Sequence, residues 1–252
     1  MSSSTPSAPS ADPARSRETT DSIPGKIRYL FSAVAPRYDF LNHFLSLGFD
    51  IAWRKATARA LQSVLTQPGS LVVDLCCGTG DLTLALARLS AGKVIGTDFC
   101  HPMLLLARGK GKRAPLPSFL VESDALILPF RDGSVDAITI AFGFRNLADY
   151  PRGLREMHRV LKPGGKVAIL EFSHVCTPLF GGLFRFYFRH VLPRLGNWIS
   201  GVRGAYNYLH DSVSRFPDQE TLAAAFDEVG FKNVRYRNFT GGVAALHLGE
   251  KA

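Results

Sequence analysis

Apolar residues along the chain alternate between short continuous runs and longer one-sided stretches. Leu71–Leu75 is a five-residue run broken only by Asp74, short enough for a buried strand. The loop Cys76-Cys77-Gly78-Thr79-Gly80 follows, and then a segment in which Leu82, Leu84, Ala85, Leu86 and Leu89 make one apolar face. A second apolar run, Lys93–Thr97, is closed by Asp98. Strand, glycine turn, helix and acid-tipped strand make one βαβ unit. Downstream the pattern predicts a helix over Met103–Arg113, a third strand at Ser118–Glu122 and a fourth at Val135–Phe142. The fourth is almost wholly apolar, as a strand buried on both faces must be. A helix over Pro151–Leu161 stops at Lys162-Pro163-Gly164-Gly165, and Lys166–Phe172 is a fifth strand. Gln219–Val229 predicts another helix. Phe231–Phe239 and Val243–Leu248, parted by Thr240-Gly241-Gly242, predict a hairpin. The sum is a doubly wound α/β sheet of seven strands, five of them parallel, with a C-terminal antiparallel β-hairpin.

Three stretches lie outside that alternation. Residues 1–22 are small, polar and Pro-rich, too poor in apolar side chains to offset ordering entropy, and are expected to form a disordered arm. The folded part, 23–252, is expected to be one domain. Residues 25–65 read as mostly apolar helix broken at Pro36, and precede the first strand. They form either a lid over the sheet's edge or an extra core-covering helix pair. Residues 174–216 are rich in aromatics and arginine, with no acid between Glu171 and Asp211.

Length and composition narrow the picture. A chain of 252 residues holds one generous α/β domain, and 46% hydrophobic content with near-zero mean hydropathy suits a globular protein. A net charge of +9 favours anionic surroundings, either nucleic acid or an anionic lipid surface. The four cysteines show no Cys-x-x-Cys spacing, so neither a structural metal site nor a disulfide framework is expected, and a reducing, cytoplasmic setting is the default. No apolar run reaches the ~18–20 residues of a membrane span.

The glycine loop and Asp98 together imply a nucleoside-containing ligand. Gly78 and Gly80 let the backbone turn sharply and approach a ligand, and an acid at the second strand's tip accepts from ribose hydroxyls. The dinucleotide fingerprint's third glycine is missing, and Asp81 at the helix mouth would repel a pyrophosphate. Asp74, Asp81, Asp98 and Asp124 form an expected acidic rim suited to a cationic, hydroxyl-bearing ligand such as S-adenosylmethionine.

Several blocks then resemble one family, the ubiquinone/menaquinone-biosynthesis C-methyltransferases. They are Tyr38-Asp39-Phe40-Leu41-Asn42, Trp53-Arg54-Lys55, Asp74–Asp81, Gly96-Thr97-Asp98-Phe99, Phe142-Gly143-Phe144-Arg145-Asn146, Phe216-Pro217-Asp218-Gln219 and Gly241–His247, in order over about residues 25–249. The resemblance implies a class I S-adenosylmethionine-dependent methyltransferase that methylates a ring carbon of a prenylated quinol. It places Thr79 at the cofactor's methionine end, Asp98 at its ribose, and Asp124 with Ala125 at its adenine, with Gly78 and Gly80 expected to bind the cofactor through the loop backbone. One departure stands at Ala141, where many members have Ser as a further cofactor contact.

The attacking carbon becomes nucleophilic only when a ring hydroxyl, titrating near 10, loses its proton. The site must supply a base or a cation for the oxyanion. Arg145 can serve as that cation or order a basic water, with Asn146 orienting the water; alternatively Arg145 is a structural ion pair. Tyr38 and Asp39 on the expected lid either close onto the ring or simply pack. His247, inside the last β run, reads as core rather than base, and Trp53 and Trp198 as packing. The aromatic, arginine-rich segment either touches an anionic membrane, forms a homodimer interface or walls the pocket. A demethylated naphthoquinol is favoured over a benzoquinol, because an apolar, acid-poor region suits a fused ring. A nucleic-acid N-methyltransferase would place an Asn/Asp-Pro-Pro-aromatic tetrad where Phe142-Gly143-Phe144-Arg145 stands. A nicotinamide reductase lacks its Tyr-x-x-x-Lys pair, and a non-enzymatic quinone carrier leaves the glycine loop unexplained.

Overall fold

The computed structural model describes Asp39, His43 and residues 46–113, 118–176 and 211–252. The expected polar arm, Pro36, Tyr38, Trp198 and most of the 174–216 segment lie outside these residues. The strands are β1 (Leu71–Leu75), β2 (Lys93–Asp98), β3 (Ser118–Glu122), β4 (Val135–Ala141), β5 (Leu161–Phe172), β6 (Phe231–Phe239) and β7 (Ala244–Lys251). The helices are α1 (Phe49–Ala60), α2 (Gln62–Leu65), α3 (Asp81–Ala87), α4 (His101–Arg113), α5 (Tyr150–Val160) and α6 (Gln219–Val229).

Alternate side chains of β1 enter two apolar layers, as the period of a strand dictates. Val72 joins Trp53, Ala58, Leu61, Leu82 and Leu86 on the face covered by α1 to α3. Val73 and Leu75 join Leu154, Met157, Leu222 and Phe226 under α5 and α6. Each large side chain buried this way contributes roughly 1.5–3 kcal/mol of transfer free energy. The strands form one seven-stranded sheet in the order β3-β2-β1-β4-β5-β7-β6. β1 to β5 pair in parallel, and β7 runs antiparallel between β5 and β6. The order reverses between β1, which neighbours β2, and β4, which neighbours β5; ligands of open α/β sheets bind at such a switch point.

Helix ends follow local chemistry. Asp149 and Asp218 accept from Arg152 N and Thr221 N, each at 2.8 Å, and cap α5 and α6. α6 spans the expected residues and ends at Gly230, φ +105°. Leu161 belongs to β5 instead of the preceding helix. It pairs with Val135, and the ladder resumes at Lys166 with Ala137, so the expected Lys162–Gly165 turn survives as an excursion within the strand. Of residues 25–65, only Asp39, His43 and 46–65 are described. α1 and α2 cover the sheet with buried Trp53, Ala58 and Leu65. Asp39 and His43 instead reach the glycine loop, as described next.

Candidate active site

Between β1 and α3 the chain turns through Cys76, Gly78 and Gly80, all at positive φ. The carboxylate of Asp98 builds this turn. Its Oδ2 accepts from Gly78 N and its Oδ1 from Cys100 N, both at 2.8 Å. An acid at the tip of β2 thus holds the loop of β1 in the shape a ligand would meet. Where a third loop glycine is absent, Gly96 of β2 supplies the close helix–strand approach: a Cβ there would lie 2.9 Å from Thr83 Oγ1 of α3.

Asp74 corrects the expected acidic rim, because it is buried beneath the loop and not on it. Thr83 Oγ1 of α3 donates to it at 2.6 Å and Thr139 Oγ1 of β4 at 2.7 Å. Burial pushes its carboxyl up to about 6 against the pull of these two hydroxyls. Burial, with the nearby Asp98 and Asp74 charges, raises the Cys76 and Cys77 thiols well above the ordinary range, so neither is a thiolate nucleophile.

Thr79 is buried, and its hydroxyl donates to Asp39 Oδ1. The ammonium of Lys110, on α4, bridges three groups here: Thr79 Oγ1 at 2.9 Å, Asp39 Oδ2 at 2.6 Å and Asp81 Oδ1 at 2.5 Å. His43 Nε2 lies 3.6 Å from Asp81, while its Nδ1 donates to Asp50 at 2.8 Å. Asp39 therefore faces the cofactor loop, a contact that neither of the two expected alternatives, closing onto the ring or simply packing, included. Lys110 was missed, since its setting among Arg108, Lys112 and Arg113 reads as a solvated basic face. Only the crossing of α4 behind Gly80, where a Cβ would meet Ala107 at 3.1 Å, brings it to the site.

At the tip of β4, Phe142 adopts φ +59°, a left-handed conformation rare for an aromatic residue. The turn Phe144–Asn146 then sets Arg145 back toward β5. Arg145 Nη1 donates to Glu171 Oε1 at 2.8 Å and to the Phe142 carbonyl, and Arg145 N donates to Glu171 Oε2 at 3.2 Å. Arg145 is thus ion-paired with Glu171, and its guanidinium also stacks over Phe172, 5.4 Å from its centroid. Glu171 falls within the expected fifth strand, where the apolar pattern alone assigns it no role.

Asp124 Oδ1 accepts from Leu126 N at 2.8 Å, closing the turn after β3, and Ala125 is buried beside it. Ser123 N donates to Asp98 O at 3.1 Å, so this turn adjoins the β2 tip. Trp53 is packing, as expected, between Phe49 and Phe142. His247 is core: buried, its ring 2.9 Å from the Gln219 carbonyl, with burial lowering its affinity for protons. Arg54, Asp74, Cys77, Thr79, Asp81 and Ala141 border a cavity of about 20 Å³ between the two tips.

The described residues fit S-adenosylmethionine. A Cβ at Gly78 would meet nothing within 4 Å, so the loop backbone is open on that side. The Asp98 and Asp81 carboxylates and the Thr79 hydroxyl offer acceptors to ribose hydroxyls and an ammonium group, and the Lys110 ammonium on Thr79 and Asp81 offers a donor to a carboxylate, so both ends of the cofactor find partners. The sheet order and terminal hairpin define the class I methyltransferase fold. Solved structures agree: a SAM-dependent methyltransferase from Aquifex aeolicus superposes with a TM-score of 0.57 at 20% identity, covering 78% of this chain and 89% of that one. A possible histamine N-methyltransferase from Thermotoga maritima gives 0.58 at 18%, covering 89% and 99%. More specifically, residues 19–251 match the model of the ubiE/COQ5 methyltransferase family, and the chain belongs to that family. Among its relatives, the demethylmenaquinone methyltransferase of Thermus thermophilus is 49% identical over 88% of this chain and all of its own length. That of Deinococcus radiodurans is 47% identical over 89% and 92%, and that of Staphylococcus epidermidis 43% over 90% and 93%.

Proposed function

We propose that the chain methylates the open ring carbon of demethylmenaquinol, giving menaquinol, with S-adenosylmethionine as donor. The observation that carries this is the meeting, at one switch point, of the Asp98-shaped glycine loop and the Arg145 turn, in a chain whose relatives share this named activity. When bound, the cofactor supplies an electrophilic methyl on a sulfonium. Thr79, Gly78 and Gly80 would hold its methionine end, Asp98 its ribose, and Asp124 and Ala125 its adenine.

On the substrate side, Arg145 brings fixed positive charge to the tip of β4, where a ring oxyanion would develop. Glu171 holds the guanidinium in place, and Asn146 in the same turn orients a water that takes the hydroxyl proton. The prenyl tail stays in the bilayer, since drawing it into water costs ~0.8 kcal/mol per CH₂, so the protein works as a peripheral visitor to an anionic membrane face.

The test is methyl transfer by the purified protein to reduced short-chain demethylmenaquinol and to a matching methoxybenzoquinol. Methylated naphthoquinol by mass spectrometry supports the reading, and turnover of the benzoquinol alone reassigns it to ubiquinone biosynthesis. Asp98→Asn should weaken S-adenosylhomocysteine binding about 10- to 100-fold by calorimetry, since an amide leaves one of two backbone N–H groups unaccepted.

A further inference from the structure

Thr79 and Lys110 meet beside the glycine loop, at the methionine end of the cofactor site, and their donors can be counted. A hydroxyl has one O–H group and an ammonium three N–H groups. Among the described residues all four are in use. The Thr79 hydroxyl donates to Asp39 Oδ1, and Lys110 Nζ lies 2.6 Å from Asp39 Oδ2, 2.5 Å from Asp81 Oδ1 and 2.9 Å from Thr79 Oγ1. The carboxylate of Asp39 thus spans the hydroxyl and the ammonium, with one oxygen on each.

The α-carboxylate of S-adenosylmethionine is the same chemical group and calls for the same two donors. Two carboxylates cannot share them, because Thr79 has a single proton to give and like charges at this distance repel. One side chain must therefore let go. Asp81 stands two residues beyond Thr79, in the first turn of α3, and moves only with the loop. Asp39 reaches in from 40 positions earlier in the chain. Its side chain is 31% exposed and that of Lys110 27%, and ion pairs this open to water are weak enough to exchange. We propose that Asp39 is an internal competitor of the cofactor. Its carboxylate occupies the subsite on Thr79 and Lys110 that receives the α-carboxylate of S-adenosylmethionine, and binding exchanges one for the other. Asp81 stays on Lys110 and faces the cofactor's ammonium. The exchange also undoes a tie between the residues before α1 and the glycine loop, so cofactor binding is felt outside the sheet. All of this rests on S-adenosylmethionine as the cofactor and not on the quinol as substrate.

Calorimetry on the full chain tests it with two ligands: S-adenosylhomocysteine, and S-adenosyl-3-thiopropylamine, which keeps the ammonium and lacks the carboxylate. If Asp39 holds the donors in about 70–90% of molecules, it lowers the affinity for S-adenosylhomocysteine about threefold to tenfold. Asp39→Ala should recover that factor and should bind the amine no more tightly than wild type does. Adding Asp39→Ala to Lys110→Met should give a clearly smaller gain, whereas plain repulsion between Asp39 and the ligand would act in full without the ammonium. Weaker binding of S-adenosylhomocysteine by Asp39→Ala would make Asp39 a ligand of the cofactor's ammonium and overturns the proposal. So do an unchanged affinity, an equal tightening of both ligands, and a gain undiminished by loss of Lys110. Asp39→Asn, whose one carbonyl oxygen cannot engage both donors, should shift affinity in the same direction and replaces the alanine variant if that fails to fold. Failure to methylate any quinol would remove the proposed substrate and leave these affinities standing.

Discussion

Arg145 Nη1 lies 2.8 Å from Glu171 Oε1, with 5% and 1% of the two side chains exposed. The pair joins the turn after β4 to the end of β5, and Glu171 also accepts from Phe172 N at 2.8 Å. One carboxylate therefore fixes both the guanidinium and the backbone that carries it. Removing one partner strands a buried charge, whereas removing both does not. Glu171→Gln should cost about 3–5 kcal/mol in denaturant unfolding. Arg145→Met/Glu171→Leu should cost less than the two single losses together. Arg145→Lys keeps a charge but not the planar fork, and is expected to lower kcat about a hundredfold with S-adenosylhomocysteine affinity retained.

Lys110 is the cation between Asp39 and Asp81, and ties residues before the first strand to the glycine loop. These side chains are about a quarter to a third exposed, so each pair contributes only about 0–1 kcal/mol to stability. Its effect belongs to the site. Lys110→Met should leave the melting temperature nearly unchanged, raise KM for S-adenosylmethionine about tenfold, and speed limited proteolysis before residue 46. High salt should reproduce part of the KM effect in wild-type protein by screening the pairs.

Asp74 makes apo-protein stability depend on pH in the direction opposite to an ordinary ion-paired acid. Its folded pKa is raised from 3.8 to about 6, so the folded state binds the proton more tightly. Between those values stability falls as pH rises, and above about 6 the cost of the buried charge is fully present. Asp74→Asn can still bond both threonine hydroxyls and carries no charge. Denaturant midpoints measured from pH 4 to pH 8 should show this decline in the wild type and a flatter profile in the variant.

Gly143 tests how closely the β4 and β1 tips must approach. A Cβ at 143 would lie 2.4 Å from the Cβ of Cys76, which itself sits at φ +49°. Gly143→Ala should destabilise by about 1–3 kcal/mol through overpacking. Cys76→Gly removes the colliding atom and suits the left-handed backbone. The double variant Gly143→Ala/Cys76→Gly should recover most of that loss in thermal melts.

What could be foreseen follows the range of each interaction. The βαβ unit, α6 and the hairpin were legible because they rest on neighbours in the chain: apolar periodicity and glycines at a turn. The edges that failed were set from across the sheet. Leu161 reads as the end of a helix, yet pairing with Val135 makes it the start of β5. His247 and Trp53 were placed in the core correctly, because a lone polar or aromatic group on an apolar face has few other destinations.

The sequence by itself determined the doubly wound sheet, its glycine turn, the acid at position 98 and the family, all written in short contiguous patterns. Only the tertiary structure decided the partners of the charged groups. It buried Asp74 under two hydroxyls, set Glu171 against Arg145, and carried Lys110 from an outwardly basic helix to the mouth of the glycine loop. The reason is that a charge's environment depends on strand order and helix crossings, which here join residues from 9 to 65 positions apart.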